Sequence, residues 1–131
     1  MITIYTIFSA MRFSHQRETI RKIVNSTNSH PTADWVFSRA KRSIPKISLG
    51  TVYRNLKRLE KTGDLRTIYD GSIARYDWNT KPHDHLKCKE CGDLMDVHLL
   101  DEGIRSDVKK KYKFAVDDVK MTIIGTCQKH K

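Results

Sequence analysis

The chain has 131 residues, with 25 Lys and Arg against 15 Asp and Glu, and a formal net charge of +10. This length allows one compact domain or two small ones, and no segment has the roughly 20 consecutive apolar residues that a membrane span needs. The opening residues lack the basic leader and long apolar core of a secretory signal, so we expect a cytoplasmic protein without membrane contact. Three cysteines, an odd number, favour metal or thiol chemistry over a disulfide framework.

The excess positive charge lies in the first part of the chain. Residues 1–80 carry 14 Lys and Arg against 6 Asp and Glu, a net of +8, whereas residues 81–131 carry 11 against 9, a net of +2. This asymmetry predicts a polyanionic partner, nucleic acid first. A basic surface that serves only solubility is the alternative.

Two short helices are predicted before residue 40. Ser14 is expected to cap a helix that ends near Asn25. Thr32 is expected to cap a second helix, which ends near Arg39 and buries Trp35 and Val36.

The segment from Ser48 to Gly63 predicts a third helix, because Ser48 can cap its start and Gly63 can adopt the left-handed backbone that ends helices. Its apolar residues share one face: Val52, Leu56 and Leu59. Two strand-like segments then flank Asp70-Gly71, a dipeptide suited to a tight hairpin turn. Three helices and a hairpin predict a winged helix-turn-helix domain over residues 1–80.

The polar face of the third helix predicts contacts with double-stranded DNA, since a helix fits the major groove. Arg54 and Lys57 can reach phosphates or guanine edges, and the Tyr53 ring can lie against a thymine methyl. The full set of expected DNA-binding residues is Thr51, Tyr53, Arg54, Lys57 and Lys61. In the alternatives, Tyr53 is a core aromatic beside a solvated cationic face, or the winged helix docks a protein.

Residues 81–131 predict a small α/β domain of three short strands, HLKC, LMDVH and VKMTIIG, and one helix in which Ile104, Val108 and Tyr112 recur every four residues. A piece this small needs a metal, a partner subunit or both.

Two thiolates separated by two residues, in Cys88-Lys-Glu-Cys91-Gly92, can bind one ion, and Gly92 lets the chain reverse. Cys127 and His130 could complete a Cys3His structural zinc site. A thiol redox pair is the rival, but such pairs usually lie at a helix N-terminus, whereas strands are predicted here.

The histidines form a second, chemically different set. His83 and His85 are two residues apart on a predicted strand and therefore share a face, while Asp84 points away. Spacing does not choose between Asp96 and His98 as their neighbour. By spacing alone, His30 is a loop residue.

The motifs together resemble those of the ferric uptake regulator (Fur) superfamily over roughly residues 12–131. They are RFSHQRETI, HPTADWVF, ISLGTVYRNLKRLEKTGDL, RYDW, HDHLKCKECG and the closing GTC. The resemblance implies a bacterial, homodimeric, metal-dependent repressor rather than an enzyme. The implied fold is α+β, a winged helix-turn-helix followed by an α/β dimerisation domain over residues 81–131.

The resemblance also implies the regulatory metal ligands, which are His30, Asp77, His83, His85 and Asp96. Aspartate at both carboxylate positions is typical of the peroxide-sensing, PerR-type branch. Such a set suits Fe²⁺ or Mn²⁺, and the family implies that peroxide oxidises His30 or His83 when iron is bound. The alternative function is an iron-, manganese- or zinc-responsive Fur-type repressor without peroxide sensing.

The sequence departs from the family pattern at three places. His130 replaces the last cysteine of the second Cys-x-x-Cys, Val119 replaces a histidine of an additional metal site, and the leading helix is missing or reduced to the ten residues before Met11. Met11 is an alternative to Met1 as the start of translation. Two rival classes remain. The first is a zinc hydrolase, although the chain has no HExxH-like signature. The second is a constitutive DNA-binding protein with only a structural zinc.

Overall fold

The computed structural model describes residues 3–99 and 101–130 and divides the chain into two compact units, residues 1–80 and 81–131. The first unit contains α1 (Ile4–Asn25), α2 (Ala33–Ser43), α3 (Leu49–Lys61), β1 (Arg66–Asp70) and β2 (Ile73–Asp77). The second contains β3 (Asp84–Cys88), β4 (Leu94–Val97), α4 (Glu102–Tyr112), β5 (Thr122–Gly125) and a 3-10 turn at Gln128–His130. This α+β organisation, with the winged helix first, confirms the predicted fold class.

Helix α1 is longer than predicted. It begins at Ile4, where the Thr3 hydroxyl accepts a hydrogen bond from the backbone N–H of Thr6 at 3.2 Å. The prediction that Ser14 caps this helix is wrong, because Ser14 lies in its interior, exposed to solvent, where a serine is tolerated. Although α1 has 22 residues, neither it nor any other helix in the described ranges is apolar enough over a sufficient length to cross a membrane.

Helix α2 begins at the predicted cap and continues beyond the predicted end. The Thr32 hydroxyl accepts a hydrogen bond from the backbone N–H of Trp35 at 3.3 Å, and the helix ends at Ser43 rather than near residue 39. Val36 is buried as predicted. Trp35 is only half-buried: it packs against the edge of the core, and the Arg39 guanidinium lies over its ring at 4.7 Å from the ring centroid.

Helix α3 has the predicted cap at each end. The Ser48 hydroxyl accepts a hydrogen bond from the backbone N–H of Thr51 at 3.1 Å. At the other end Gly63 has φ +79°, and the Asp64 N–H donates to the Leu59 carbonyl at 2.9 Å, which closes the helix in a Schellman motif. These two caps fix where α3 begins and ends.

The hairpin forms as predicted, with its turn one residue further along the chain. Asp70 pairs with Ile73 across the antiparallel strands, so the loop residues are Gly71 and Ser72 rather than Asp70-Gly71. Gly71, at φ +63°, is in the first loop position, where a II′-type turn requires a positive φ.

The core of the first unit contains apolar side chains from all three helices and from the hairpin. Fully buried members include Ile20, Val36, Val52 and Leu56. The segment before α2 joins the sheet, since the Tyr76 N–H donates to the Pro31 carbonyl at 2.9 Å. The first unit thus has a continuous apolar core.

The second unit is a three-stranded sheet in the order β4-β3-β5, in which β3 pairs antiparallel with β4 and parallel with β5. Strand β5 begins at Thr122, so it is shorter than the predicted VKMTIIG. Before it, the Asp84 carboxylate accepts a hydrogen bond from the Met121 N–H at 3.1 Å and ties the two parallel strands together.

The second unit buries little apolar surface. Among its described residues only Cys88 and Leu94 are buried apolar side chains, and no residue of α4 is buried. The predicted helix is present, but the face that carries Ile104, Val108 and Tyr112 covers no core, because Ile104 and Tyr112 are exposed. On the edge strand β5, Ile123 and Ile124 are exposed as well.

Candidate metal centres and nucleic-acid interface

The outer face of α3 presents the side chains that the sequence predicts to contact DNA. Tyr53 is 47% exposed, so the alternative in which it is a core aromatic is wrong. Arg54 donates a hydrogen bond to the Thr51 hydroxyl at 3.0 Å, which holds the guanidinium along the helix. Lys57 and Lys61 are exposed on the same helix. The face carries cations and one aromatic ring, the chemistry of a groove-reading helix.

A basic groove that the sequence did not reveal lies between α1 and α3. It has a volume of about 560 Å³, and its lining includes Phe13, Arg17, Arg54, Lys57, Arg58 and Lys61. Arg17 and Arg58 thus join the predicted cations. Phe13 precedes the predicted start of α1 and Arg17 lies in its first predicted turn, and no sequence signal placed either residue beside α3.

His30 and Asp77 meet inside the first unit. Their Nε2 and Oδ2 atoms are 3.5 Å apart, and both side chains are 2% exposed. Asp77 ends β2, where its other carboxylate oxygen accepts a hydrogen bond from the Asn79 N–H at 2.9 Å. His30 has φ +56°, a backbone conformation that residues other than glycine rarely adopt. An imidazole and a carboxylate are therefore held together at a strained loop position.

The His30 loop is held by a residue that sequence reasoning missed. Arg75, on β2, donates hydrogen bonds to the backbone carbonyls of Ser29 and His30, both at 2.7 Å. These two hydrogen bonds span sequence separations of 45 and 46 residues. Nothing in the spacing of the sequence signals such a pairing.

In the second unit, one carboxylate contacts two imidazoles. Asp96 Oδ1 lies 3.2 Å from Nε2 of His83 and 3.2 Å from Nε2 of His85. The register explains the convergence, since Asp96 pairs with His85 across β3 and β4. The Nδ1 atom of His83 lies 2.6 Å from the Lys81 carbonyl and can donate to it, a contact that orients the ring with Nε2 toward Asp96. The donor set therefore fits a divalent metal such as Fe²⁺ or Mn²⁺.

The structure also distinguishes the neighbours of this group. Asp84 points away from it and accepts its hydrogen bond from Met121, as the alternation of strand residues predicts. His98 is exposed, and its ring centroid lies 6.3 Å from that of His83. Asp96, rather than His98, is the residue in direct contact with both histidines.

The cysteine group forms at the end of the sheet. The ligand atoms of Cys88, Cys91, Cys127 and His130 all lie within 4.8 Å of one another. The Cys91 and Cys127 sulfurs are 3.8 Å apart, and Cys127 Sγ is 3.0 Å from His130 Nδ1. A tetrahedral ion with Zn–S bonds of about 2.3 Å separates two sulfurs by about 3.8 Å. The four residues therefore fit a Cys3His zinc site.

The local chain conformation supports zinc over a thiol redox pair. Cys88 ends β3, and Gly92, at φ +78°, reverses the chain after Cys91, as predicted. Backbone N–H groups of Cys91 and Cys127 donate to the Cys88 sulfur and lower its pKa to about 6. No helix N-terminus contributes to the lowered pKa of Cys88. Contacts with Cys88 and Cys127 help to raise the pKa of Cys91 to about 11, and a lowered pKa in one thiol alone also fits a redox pair, so the four converging ligand atoms and the strand-and-turn geometry are what favour zinc.

Comparison with known proteins decides the family. The sequence profile of the Ferric uptake regulator family matches residues 9–124. The chain belongs to this family. It is 33% identical to the peroxide-responsive repressor PerR of Staphylococcus epidermidis over 126 residues, which covers 94% of the chain and 83% of that protein. It is 32% identical to PerR of Staphylococcus aureus over 123 residues, which covers 92% of the chain and 82% of that protein.

Solved structures of ferric uptake regulator family members have the same fold. The crystal structure of the Campylobacter jejuni peroxide stress regulator matches with a TM-score of 0.77 and 25% identity, over 97% of the chain and 98% of that protein. The Helicobacter pylori ferric uptake regulator Fur matches with a TM-score of 0.76 and 24% identity, over 97% and 93%. These relatives are regulators rather than enzymes. Membership places the chain among metal-dependent transcriptional regulators.

The chain keeps its own features within the ferric uptake regulator family. His130, in place of the last cysteine of the family pattern, lies beside Cys127 in the 3-10 turn. Val119 lies between α4 and β5, outside regular secondary structure. The residues from Ile4 to Met11, expected to form at most a reduced leader, are the first turns of α1. Met1, the other candidate start, lies outside the described residues.

Proposed function

We propose that the chain is a metal-dependent DNA-binding repressor that senses hydrogen peroxide through oxidation of a histidine ligand. One observation carries the proposal: aspartates, rather than longer carboxylates, meet the imidazoles in both units. Asp77 meets His30, and Asp96 meets His83 and His85. The peroxide-responsive names of relatives from Staphylococcus epidermidis and Campylobacter jejuni support the same branch.

The two imidazole–carboxylate groups are proposed to bind one Fe²⁺ or Mn²⁺ ion. Each group alone supplies too few donors for a tight site, whereas three imidazoles and two carboxylates together suit these metals. The proposed ligands are His30, Asp77, His83, His85 and Asp96. Because the first two belong to residues 1–80 and the others to residues 81–131, metal binding would link the two units and thereby control DNA binding.

His30 and His83 are the side chains proposed to gain an oxygen atom. In the net reaction, one hydrogen peroxide molecule would place one oxygen on an imidazole carbon and leave the other as water, so that the imidazole is oxidised by two electrons and the peroxide is reduced by two; a bound Fe²⁺ would supply the redox chemistry for this transfer. An oxidised imidazole binds metal poorly, so losing either histidine as a ligand would release the ion and weaken DNA binding. With Mn²⁺ in place of Fe²⁺, the same side chains would bind the metal without becoming oxidised.

The α3 face is proposed to read an operator in double-stranded DNA. Tyr53 and Arg54 would contact bases, while Thr51, Lys57 and Lys61 would contact the backbone, joined by Arg17 and Arg58 from the basic groove. The charge distribution supports this assignment, since nearly all of the excess lies in residues 1–80.

The second unit is proposed to form the homodimer. Its edge strand β5 exposes Ile123 and Ile124, and an exposed apolar edge favours pairing with a second chain. A Zn²⁺ ion at Cys88, Cys91, Cys127 and His130 would connect the sheet to the C-terminal turn. Dimerisation would position the two α3 helices to contact the two half-sites of a DNA operator.

Peroxide treatment of two metal forms tests this proposal. The DNA probe is an operator selected from a random library in the presence of Mn²⁺. Dilute hydrogen peroxide should release the Fe²⁺ form from this DNA and add 16 mass units, one oxygen atom, to a peptide that contains His30 or His83. The Mn²⁺ form is the matched control and should keep both its DNA and its unmodified peptides.

Asp96→Glu sharpens the test. The longer carboxylate should preserve Mn²⁺-dependent DNA binding and reduce oxidation, because it moves the carboxylate oxygens relative to His83 and His85. Unmodified histidines in the Fe²⁺ form, with metal-dependent DNA binding intact, would instead identify an iron- or manganese-responsive repressor without peroxide sensing. DNA binding that is indifferent to metal would identify a constitutive DNA-binding protein.

A further inference from the structure

The loop that carries His30 needs an external support. His30 has φ +56° without being a glycine, a conformation that persists only where surrounding contacts hold it. Its side chain is nevertheless placed 3.5 Å from Asp77, and both side chains are buried. A ligand on a strained loop can be positioned reproducibly only if the loop backbone is fixed.

Arg75 supplies such a support with a forked set of hydrogen bonds. Its Nε donates to the His30 carbonyl and one terminal nitrogen donates to the Ser29 carbonyl, both at 2.7 Å. The other terminal nitrogen donates to the Asp70 carboxylate at 3.2 Å, which orients the guanidinium. A planar guanidinium makes these bonds in fixed directions, whereas a lysine ammonium is a single point donor.

The strand geometry connects this fork to the ligands. Arg75 and Asp77 are two residues apart on β2 and therefore extend from the same face of the strand. Arg75 thus holds the backbone of the loop while Asp77, from the same strand, meets the imidazole. The loop also pairs with β2 directly, since Thr32 bridges to Arg75 and the Tyr76 N–H donates to the Pro31 carbonyl.

We propose that Arg75 is a positioning residue for the regulatory metal: by holding the carbonyls of Ser29 and His30, it fixes the His30 imidazole against Asp77. This role rests on the proposed function, in which His30 and Asp77 are metal ligands. Residues that orient metal ligands without touching the metal typically contribute about 10- to 100-fold to metal affinity. Arg75 therefore sets how tightly the regulatory ion binds.

Mn²⁺ titration of variants tests this role. Arg75→Met and Arg75→Lys should each weaken Mn²⁺ binding by about 10- to 100-fold, with lysine giving little rescue because it cannot make the fork. The matched control is Arg42→Met, which removes an exposed arginine at the end of α2 and should bind Mn²⁺ as the parent does. At saturating Mn²⁺ the Arg75 variants should recover the parent's DNA affinity, which a misfolded unit would not.

A double variant separates positioning from general destabilisation. In a His30→Ala background, Arg75→Met should cause no further loss of Mn²⁺ affinity, because Arg75 acts through His30. A further loss of Mn²⁺ affinity in the double variant would overturn the role of Arg75. So would Arg75 variants that bind Mn²⁺ as the parent does, if His30→Ala weakens Mn²⁺ binding. Either result leaves the proposed function standing. Parental Mn²⁺ affinity in His30→Ala alone would overturn the proposed ligand set and the Arg75 role with it.

Discussion

The two units differ in the kind of side chain that they bury. In the first, apolar side chains from three helices and a hairpin form one core, with Ile20, Val36 and Leu56 fully buried. In the second, the buried polar side chains His83, Asp84 and His85 outnumber the two buried apolar ones among the described residues. The first unit can be stabilised by apolar packing, whereas the second depends on interactions that packing does not supply.

The two buried histidines of the second unit, His83 and His85, are also candidate metal ligands. Buried imidazoles and carboxylates are unfavourable unless they are paired or bind a cation. The same unit leaves Ile123 and Ile124 exposed at a sheet edge. A metal site and a second chain would therefore complete this domain, and removing either one should affect it more than the first unit.

Loss of zinc should have the largest effect. Cys88→Ser should remove zinc and unfold the second unit while the helices of the first remain, since binding of a structural zinc contributes about 10–16 kcal/mol in small peptide sites. Residue-level hydrogen exchange combined with metal analysis would measure both effects. His130→Ala should give the same pattern more mildly, because three sulfur ligands remain. A zinc-free protein that is folded and dimeric would show that the cysteine group contributes no stability.

Loss of core volume should affect the first unit next. Leu56→Ala should lower the free energy of unfolding of the first unit by about 2–5 kcal/mol, because a fully buried leucine leaves a cavity. Chemical denaturation followed by a probe in α3 would measure this change. Ile73→Ala is the matched control, since Ile73 is 54% exposed on the hairpin of the same unit and should change the same transition by less than about 0.5 kcal/mol. Equal effects would contradict stabilisation of the first unit by its apolar core.

The sequence predicted the elements whose signals are local. Helix α3 was predicted closely, because its cap, apolar stripe and terminal glycine agree. The predicted start of α1 was wrong, because Ser14 is a good capping residue type but lies in an exposed position inside the helix. The actual cap is Thr3, and the residues that follow it, such as Ile4 and Ile7, are exposed and bury no core face. The hairpin turn shifted by one residue, since strand pairing rather than the Asp-Gly dipeptide set the register.

The contacts at the candidate sites were less predictable. Spacing left Asp96 and His98 equivalent, and in the structure the pairing of Asp96 with His85 separates them. His30 gained its role through a family resemblance, and Arg75 had no signal, because its hydrogen bonds join distant parts of the chain. Local patterns predict helices and turns, whereas ligand geometry depends on which strands meet.

The dimer surface offers a further test of the contrast. Ile124→Asp should weaken dimerisation by at least about tenfold, equivalent to about 1.4 kcal/mol, because it places a charge on an exposed apolar edge proposed to be covered by a second chain. Analytical ultracentrifugation of the metal-loaded protein would measure the change. Ile73→Asp, at an exposed position on the hairpin, is the control and should leave the dimer intact. A dimer that tolerates Ile124→Asp would place the interface elsewhere.

DNA reading should depend on the outer face of α3 in the first unit. Tyr53→Ala or Arg54→Ala should weaken operator binding by about 1–3 kcal/mol without changing metal content, because both side chains extend from the outer face of α3. Fluorescence anisotropy at matched salt would measure the loss. Arg105→Ala, on α4 of the second unit, is the control arginine. Parental affinity in either α3 variant would remove that residue from the reading face.

We propose that one regulatory ion takes its ligands from both units. Mn²⁺ stoichiometry and affinity, measured by calorimetry for Asp77→Ala, Asp96→Ala and the double variant, test it most directly. If one ion is shared, each single substitution should weaken the same Mn²⁺ binding event. The double variant should then bind Mn²⁺ only slightly less tightly than the single variant that has the lower affinity. Two independent Mn²⁺ sites, each abolished by only one of the substitutions, would contradict the claim.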